Sequence, residues 1–149
     1  VNNVETLANI PLILTNNDWN KNLRLFSLSG NLSNPGVYEL SLGTKLFDLV
    51  NIGKPDKKIK AVYFGAAGGL IPYSDIKLDY ESVEKKEAML GGCAVIAVDE
   101  TKSIVDMATN IAKFFEYESC GRCAPCREGT LRILELLQKV LKMVKILRV

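Results

Sequence analysis

Three closely spaced cysteines limit, more than any other feature, what this chain can fold into. The stretch "ESCGRCAPCREGT", residues 118–130, places Cys120, Cys123 and Cys126 at successive intervals of three residues. Thiolates at this spacing can surround a polynuclear cluster, each sulfur binding a different iron, whereas a zinc site usually combines one C-x-x-C pair with a distant second pair. The spacing therefore favours a [4Fe–4S] cluster. Zinc binding and free or disulfide-bonded thiols remain as alternatives.

The residues around the cysteines suit a cluster that carries negative charge. Residues 126–129 lie where a last helix is expected to begin, so the positive end of its dipole would face the cluster. A proline without an N–H group helps to turn the chain, two arginines add positive charge, and two glycines would let the backbone approach closely. These surrounding residues are Gly121, Arg122, Pro125, Arg127 and Gly129.

The composition excludes several classes of function. The chain has no histidine, which removes Ser-His-Asp and Cys-His hydrolases, mixed Cys/His zinc sites, Rieske centres and histidine-ligated haem. A net charge of +2 at pH 7 is too small to indicate nucleic-acid binding. No uncharged stretch is longer than residues 61–74, which are too few to cross a bilayer as a helix, so we expect no direct membrane insertion. The first residues resemble no secretory signal, and the missing initiator methionine suggests a fragment.

The region before the cysteines shows alternating strand and helix signals. "LRLFSLSG" (23–30) has the composition of a strand, "SNPG" (33–36) is typical of a turn with Pro35 and Gly36 at its centre, and "VYEL" resumes the sheet. Thr44 is expected to cap a helix over residues 45–50, which Gly53 ends. The apolar face of this helix would comprise Leu46, Leu49 and Val50.

Two further strands complete the sequence-based fold. They cover residues 59–65 and 93–100, and the resulting order is an α+β pattern compatible with a β-grasp. The glycine-rich stretch "YFGAAGGLIP" (63–72) lacks the features of a phosphate-binding loop, so we interpret it as a tight turn. Cys93, between "LGG" and "AVIAV", is more typical of a small core residue than of a ligand.

The last third of the chain reads as helix, cysteine loop, helix. Ser103 and Asp106 have capping-box spacing before the first of these helices. Its apolar stripe would comprise Ala108, Ile111, Ala112 and Phe115, and that of the second helix Leu131, Leu134, Leu137, Leu141 and Val144. We expect the second stripe to be exposed, which would permit dimerisation through the terminal helix.

Together these motifs resemble one known family. "VNNVETLANIP", "NPGVYEL", "GAAGGLIP" and the cysteine loop are similar to segments of the NADH-binding flavoprotein (the F subunit) of respiratory complex I and of related NAD(P)-linked hydrogenases and formate dehydrogenases. The resemblance covers essentially the whole chain. It implies the end of a flavin-binding domain and a polar linker, "TNNDWN", in residues 1–20. A soluble-ligand-binding β-grasp (SLBB) domain would cover residues 21–101, and a truncated helical iron–sulfur domain residues 102–149.

The resemblance also implies an electron-transfer role. Cys120, Cys123 and Cys126 would ligate a [4Fe–4S] cluster that receives single electrons from FMN after NADH has reduced the flavin. The family's fourth cysteine lies further downstream, so the fourth ligand is expected to be absent from this chain. Asn2, Asn3 and Thr6 match the flavin-proximal segment, although they cannot hold FMN alone.

The remaining expectations concern the whole assembly. The NADH- and FMN-binding domain would precede this chain, so the isolated chain is expected not to oxidise NADH. Other redox subunits would be its partners, in a cytoplasmic complex that can be peripheral to the inner membrane. Cys93 stands where the family typically has glycine and inherits no role. The alternative is a β-grasp docking module whose cysteines are structural or bind zinc.

Overall fold

The fold has two separate compact units, Val1–Glu100 and Thr101–Val149. The structure, a computed structural model, describes residues 1–16, 19–20, 22–65 and 67–146, without the side chains of residues 145 and 146. Part of the predicted "TNNDWN" linker, residues 17 and 18, therefore lies outside the described residues. No helix in the described ranges is long and apolar enough to cross a membrane.

The first unit is built on a mixed five-stranded sheet in the order β2-β1-β5-β3-β4. Strands β1 and β5 pair in parallel at its centre, while the β1–β2, β3–β5 and β3–β4 pairs are antiparallel. The α+β class predicted from the sequence is confirmed. In chain order the elements are α1 (Val4–Thr15), β1 (Leu23–Gly30), β2 (Gly36–Ser41), α2 (Leu46–Ile52), β3 (Ile59–Gly65), β4 (Gly69–Pro72), α3 (Tyr80–Glu84) and β5 (Ala94–Asp99).

One hydrophobic core holds the sheet and α2 together. The predicted apolar face of α2 is completely buried, and its side chains share a cluster with inward-facing residues of β1, β3 and β5. Full burial of each large apolar side chain stabilises the fold by roughly 1.5–3 kcal/mol, so this cluster accounts for the arrangement of the elements. Its central members are Phe26, Leu28, Leu46, Leu49, Val50, Val62, Phe64 and Val95.

The predicted cap of α2 is wrong, whereas the predicted stop at Gly53 is confirmed, with the helix reaching Ile52, two residues beyond the predicted range. Lys45, and not Thr44, occupies the N-cap position, and its side chain makes no capping hydrogen bond. The Thr44 hydroxyl lies one residue earlier, in the turn after β2, where it donates to the carbonyl oxygen of Ser41 at 2.7 Å. Gly53 is the C-cap with φ of −69°, so it is not required for a left-handed backbone. It is required for close packing instead, since a Cβ there would lie 2.7 Å from Leu28 Cδ2.

The β1–β2 hairpin is confirmed with one correction to its turn. Gly36 is not a central turn residue: it is the first residue of β2 and pairs with Leu28. The strand therefore resumes one residue earlier than predicted, because ladder pairing with β1 already includes Gly36.

Two short elements were not predicted. Strand β4 follows the turn in the glycine-rich stretch and pairs with β3, Val62 lying opposite Ile71. Helix α3 is capped by Asp79, whose carboxylate accepts the N–H of Ser82 at 2.7 Å and whose pKa is lowered chiefly by that bond. A four-residue strand and a five-residue helix are too short for hydrophobic periodicity to reveal them.

The second unit is a helical hairpin of α4 (Ile104–Glu118) and α5 (Ala124–Ile146). Ser103 caps α4 as predicted, its Oγ accepting the N–H of Asp106 at 3.2 Å. The predicted α4 stripe lies on the protected side of that helix, with Ala112 buried and its other members half-buried.

The stripe predicted to be exposed on α5 is largely not exposed. Leu134 is buried, and the residues that share its stripe, Leu137, Leu141 and Val144, are half-buried, because α5 packs this face against α4. Leu131, at 37% exposure, is the exception. A different set of apolar side chains faces outward on the described part of α5: Ile133, Leu136, Val140 and Met143.

Candidate metal centre

The cysteine loop joins the two helices of the second unit. Helix α4 ends at Glu118, and Ser119 is its C-cap in an extended conformation. The carbonyl oxygen of Cys123 accepts the N–H of Arg127 at 2.9 Å, the first hydrogen bond of α5, so Cys123 occupies the position that caps this helix. Cys120 thus lies in the loop, Cys123 at the start of α5 and Cys126 in its first turn. All three are exposed free thiols.

The start of α5 provides a positive electrostatic environment. The helix has 23 residues and begins at Ala124, slightly before the predicted 126–129. Its unpaired N–H groups and the positive end of its dipole lie where Cys123 and Cys126 are placed. Pro125 sits in the first turn, where a missing N–H costs no internal helix bond.

Arg127 ties the loop to the helix. One of its terminal guanidinium nitrogens donates to the carbonyl oxygen of Gly121 at 3.1 Å, while Nε donates to the Glu128 carboxylate at 3.2 Å. Gly121 has φ of +70°, a left-handed conformation that favours glycine. Arg122 is exposed in the same loop. A Cβ built at Gly129 would meet no protein atom within 4 Å, so no protein contact requires glycine there. The close approach of this backbone to a cluster stays a prediction.

Cys126 is the cysteine with the most defined surroundings. Its Sγ lies 3.3 Å from the hydroxyl oxygen of Ser119. The same oxygen accepts the N–H of Gly121 at 3.3 Å. Its carbonyl oxygen accepts the hydroxyl of Thr130 at 2.8 Å. Sequence reasoning missed Ser119, although a serine directly before the first cysteine of the loop was a visible signal.

The donor set fits an iron–sulfur cluster. The described residues include no group of three or more cysteine, histidine or carboxylate side chains converging as ligands of a single metal ion. A [4Fe–4S] cluster takes one thiolate per iron, so three cysteines at this spacing can bind three different irons. Three exposed thiols beside a helix N-terminus and two arginines supply the ligand type and the charge that this cluster needs.

The predicted flavin-proximal residues lie in the first unit. Asn3 caps α1, its side-chain oxygen accepting the N–H of Glu5 at 2.8 Å. Asn3 and Thr6 line a cavity of about 430 Å³, with Arg24 and Cys93 among its other lining residues, and Asn2 is exposed nearby in sequence. The structure therefore brings two of these three residues to one cavity of the first unit.

Cys93 is a core residue, as predicted. It is 4% exposed, belongs to the core cluster of the first unit, and burial raises the pKa of its thiol. Its φ of +59° is a left-handed conformation in which glycine would be less strained. The backbone at this position thus suits the glycine expected in relatives better than it suits cysteine.

Comparison with known proteins places this geometry in a family. Residues 106–145 match the model of the NADH-ubiquinone oxidoreductase-F iron-sulfur binding region, a range that includes all three loop cysteines. The F subunit of NADH-quinone oxidoreductase from Buchnera aphidicola subsp. Acyrthosiphon pisum is 39% identical, over 94% of this chain and 35% of its own length. The chain is homologous to a segment of the F subunit of NADH-quinone oxidoreductase. The resemblance inferred from the sequence is confirmed.

Other proteins similar to this chain are named as hydrogenases or hydrogenase subunits. NADP-reducing hydrogenase subunit HndC of Solidesulfovibrio fructosivorans is 35% identical over 95% of this chain and 32% of its own length. An NAD+-reducing [NiFe]-hydrogenase crystal structure in the air-oxidized state superposes with a TM-score of 0.83 at 32% identity, covering 95% of this chain and 26% of the hydrogenase chain. The chain spans about a third of the length of the curated relatives that it matches.

Proposed function

We propose that this chain carries a [4Fe–4S] cluster that relays single electrons within an NADH-dependent oxidoreductase. Cys120, Cys123 and Cys126 would be its ligands. The observation that carries the proposal is the placement of three exposed free thiols in one loop and helix start, inside the region that matches the iron–sulfur family. When bound, the cluster supplies one-electron redox chemistry, and the protein's part is to hold it and to set its potential.

The fourth iron requires a ligand from outside these 149 residues. The sequence contains four cysteines, and the fourth, Cys93, is buried among the core side chains of the first unit. We therefore propose a cysteine of a longer chain, or an added thiol in a reconstituted preparation, as the remaining ligand.

The first unit is proposed to be an SLBB-type β-grasp. The support is its strand order, β2-β1-β5-β3-β4, with a central parallel pair and α2 packed on the sheet. In the proposed division, residues 1–20 end a flavin-binding domain, residues 21–101 form the β-grasp, and residues 102–149 begin the iron–sulfur domain. The division of the chain into two compact units between Glu100 and Thr101 supports the boundary between the β-grasp and the iron–sulfur domain.

The flavin chemistry is proposed to lie outside this chain. The FMN environment would include Asn2, Asn3 and Thr6. This proposal is supported by the cavity that Asn3 and Thr6 line. NADH would deliver hydride to FMN bound mainly by other residues. We expect the chain by itself to have no NADH oxidation activity, because a cluster accepts single electrons and not hydride.

The proposed partners are other redox subunits. The relatives are named as subunits of NADH-quinone oxidoreductases and of an NADP-reducing hydrogenase. These names support the proposal that this chain works as part of a multi-subunit assembly. We propose a cytoplasmic location, either free or peripheral to the inner membrane through that assembly. Dimerisation through α5 stays a prediction, and it would use Ile133, Leu136, Val140 and Met143 and not the stripe that faces α4.

A reductive titration tests the relay directly. Protein reconstituted anaerobically with iron and sulfide should take up about one electron per chain from dithionite and show the paramagnetic signal of a reduced cluster. A one-electron acceptor should then reoxidise it, while NADH without flavin should leave it oxidised. Protein that was not reconstituted is the control. Uptake of no electrons, or direct reduction by NADH, would contradict the proposal.

A further inference from the structure

We propose that the hydroxyl of Ser119 donates a hydrogen bond to the Cys126 sulfur and thereby raises the reduction potential of the cluster. The inference rests on the proposed function, because it concerns the same cluster. Ser119 would be a positioning residue: it contacts the ligand and not the iron.

The geometry assigns the donor. The Ser119 oxygen and the Cys126 sulfur are 3.3 Å apart, within hydrogen-bonding distance for sulfur. In the free thiol form either atom could donate the proton. A sulfur bound to iron is a thiolate and has no proton to give. In the loaded protein, only the serine hydroxyl can be the donor.

A second hydrogen bond favours that direction. The N–H of Gly121 donates to the Ser119 oxygen at 3.3 Å and occupies one of its two lone pairs. The hydroxyl proton remains available for Cys126, and successive hydrogen bonds of this kind polarise and strengthen one another. The backbone of the cysteine loop thus prepares the serine as a donor.

Both ends of the Ser119–Cys126 contact are held by helices. Ser119 is the C-cap of α4, with its N–H directed to the carbonyl oxygen of Glu116 at 3.4 Å. Cys126 lies in the first turn of α5, and its carbonyl oxygen accepts the Thr130 hydroxyl at 2.8 Å. The backbone at both ends of the hydrogen bond is therefore held by helix contacts.

The expected effect on the cluster follows from charge. Reduction adds one electron, and part of the negative charge falls on the cysteine sulfurs. A donor to one of these sulfurs stabilises the reduced state more than the oxidised state, which raises the potential. A hydrogen bond to a charged group is worth roughly a factor of ten, and only the part of it that differs between the two redox states moves the equilibrium, so its loss should shift the equilibrium toward the oxidised cluster by up to about tenfold. For a one-electron couple this corresponds to a potential lower by up to about 59 mV.

A redox titration followed by electron paramagnetic resonance measures this shift. The variants are Ser119→Ala, which removes the hydroxyl, and Ser119→Thr, which keeps it. The matched control is Thr130→Val, since it removes a nearby hydroxyl that contacts the Cys126 carbonyl and not its sulfur. We expect a lower potential in Ser119→Ala alone, with the potentials of Ser119→Thr and Thr130→Val close to that of the wild type. Iron content is measured on every sample.

Each contrary result has a defined meaning. An unchanged potential in cluster-loaded Ser119→Ala overturns the inference but leaves the proposed function intact. An equal shift in Thr130→Val also overturns it, because the effect would then be a general disturbance of the loop. If Ser119→Ala and a second variant, Ser119→Gly, both fail to hold a cluster, the hydroxyl serves assembly and not potential, which overturns the inference as well. A wild-type protein without a cluster overturns the proposed function and this inference together.

Discussion

Replacing Cys123 with serine is expected to abolish the cluster while leaving helix α5 in place. Cys123 occupies the capping position of α5, where its carbonyl oxygen accepts the N–H of Arg127 at 2.9 Å. Serine is among the preferred residues at such a position, so the substitution should not weaken the helix. A serine hydroxyl ionises far less readily than a thiol and is a poor replacement for a thiolate ligand. We expect iron to fall from about four per chain to less than one, with unchanged helical circular dichroism.

A cysteine outside the loop provides the matched control. Cys93→Ala removes a thiol that is buried in the core of the first unit, so it should cost about 1 kcal/mol of stability and no iron. The comparison separates ligation from a general effect of cysteine loss. Retention of the full iron content in Cys123→Ser, or its loss in Cys93→Ala, would contradict the assignment of ligands.

Replacing Gly30 with alanine is expected to be the most destabilising single change in the sheet. Gly30 has φ of +106° and pairs with Ala97 where β1 and β5 run in parallel. A Cβ at this position would lie 2.1 Å from the carbonyl oxygen of Ala97, so the central strand pair must separate. We expect a loss of about 4 kcal/mol or more. Urea denaturation followed by the fluorescence of the single tryptophan, Trp19, in the same unit, measures it.

Gly43 separates the steric effect from backbone strain. It also has a positive φ, +89°, but a Cβ there meets no protein atom within 4 Å. Gly43→Ala should therefore cost only the strain of a left-handed residue, about 1–2 kcal/mol. Equal losses for the two substitutions would show that contact with β5 is not the cause at Gly30.

The sequence predicted the elements whose hydrophobic patterns are long. Strands β1 and β3 were located at their observed limits, Leu23–Gly30 and Ile59–Gly65, because continuous apolar or alternating residues mark them. It failed at Thr44, because α2 begins one residue later than predicted and the Thr44 hydroxyl bonds to Ser41 in the preceding turn instead. It also failed for β4 and α3, which are too short to show a period.

The outward-facing stripe of α5 shows a second limit. The helix carries two rows of apolar side chains, one with Leu134 and Leu137 and another with Ile133 and Leu136. The sequence predicted the row with Leu134 as the apolar stripe but expected it to be exposed, because the packing of α5 against α4 depends on the fold and not on the periodicity of one helix. The structure buries Leu134 and leaves Ile133 and Leu136 exposed.

The sequence names candidate ligands, whereas it does not reveal the contacts around them. The spacing of Cys120, Cys123 and Cys126 is a local pattern that by itself indicates a [4Fe–4S] cluster. The contact between Ser119 and Cys126 spans seven residues and requires α4 to end and α5 to begin at particular positions. Such a contact follows from the fold and not from any motif.

A combined assay of iron, acid-labile sulfide and zinc on anaerobically reconstituted protein tests the central claim most directly. The claim is that the cysteine loop holds a [4Fe–4S] cluster, with a thiol supplied to the fourth iron. The account predicts about four irons and four sulfides per chain and no stoichiometric zinc, with a paramagnetic signal after reduction. One zinc per chain, or no metal at all, would contradict it and would leave the loop a structural element.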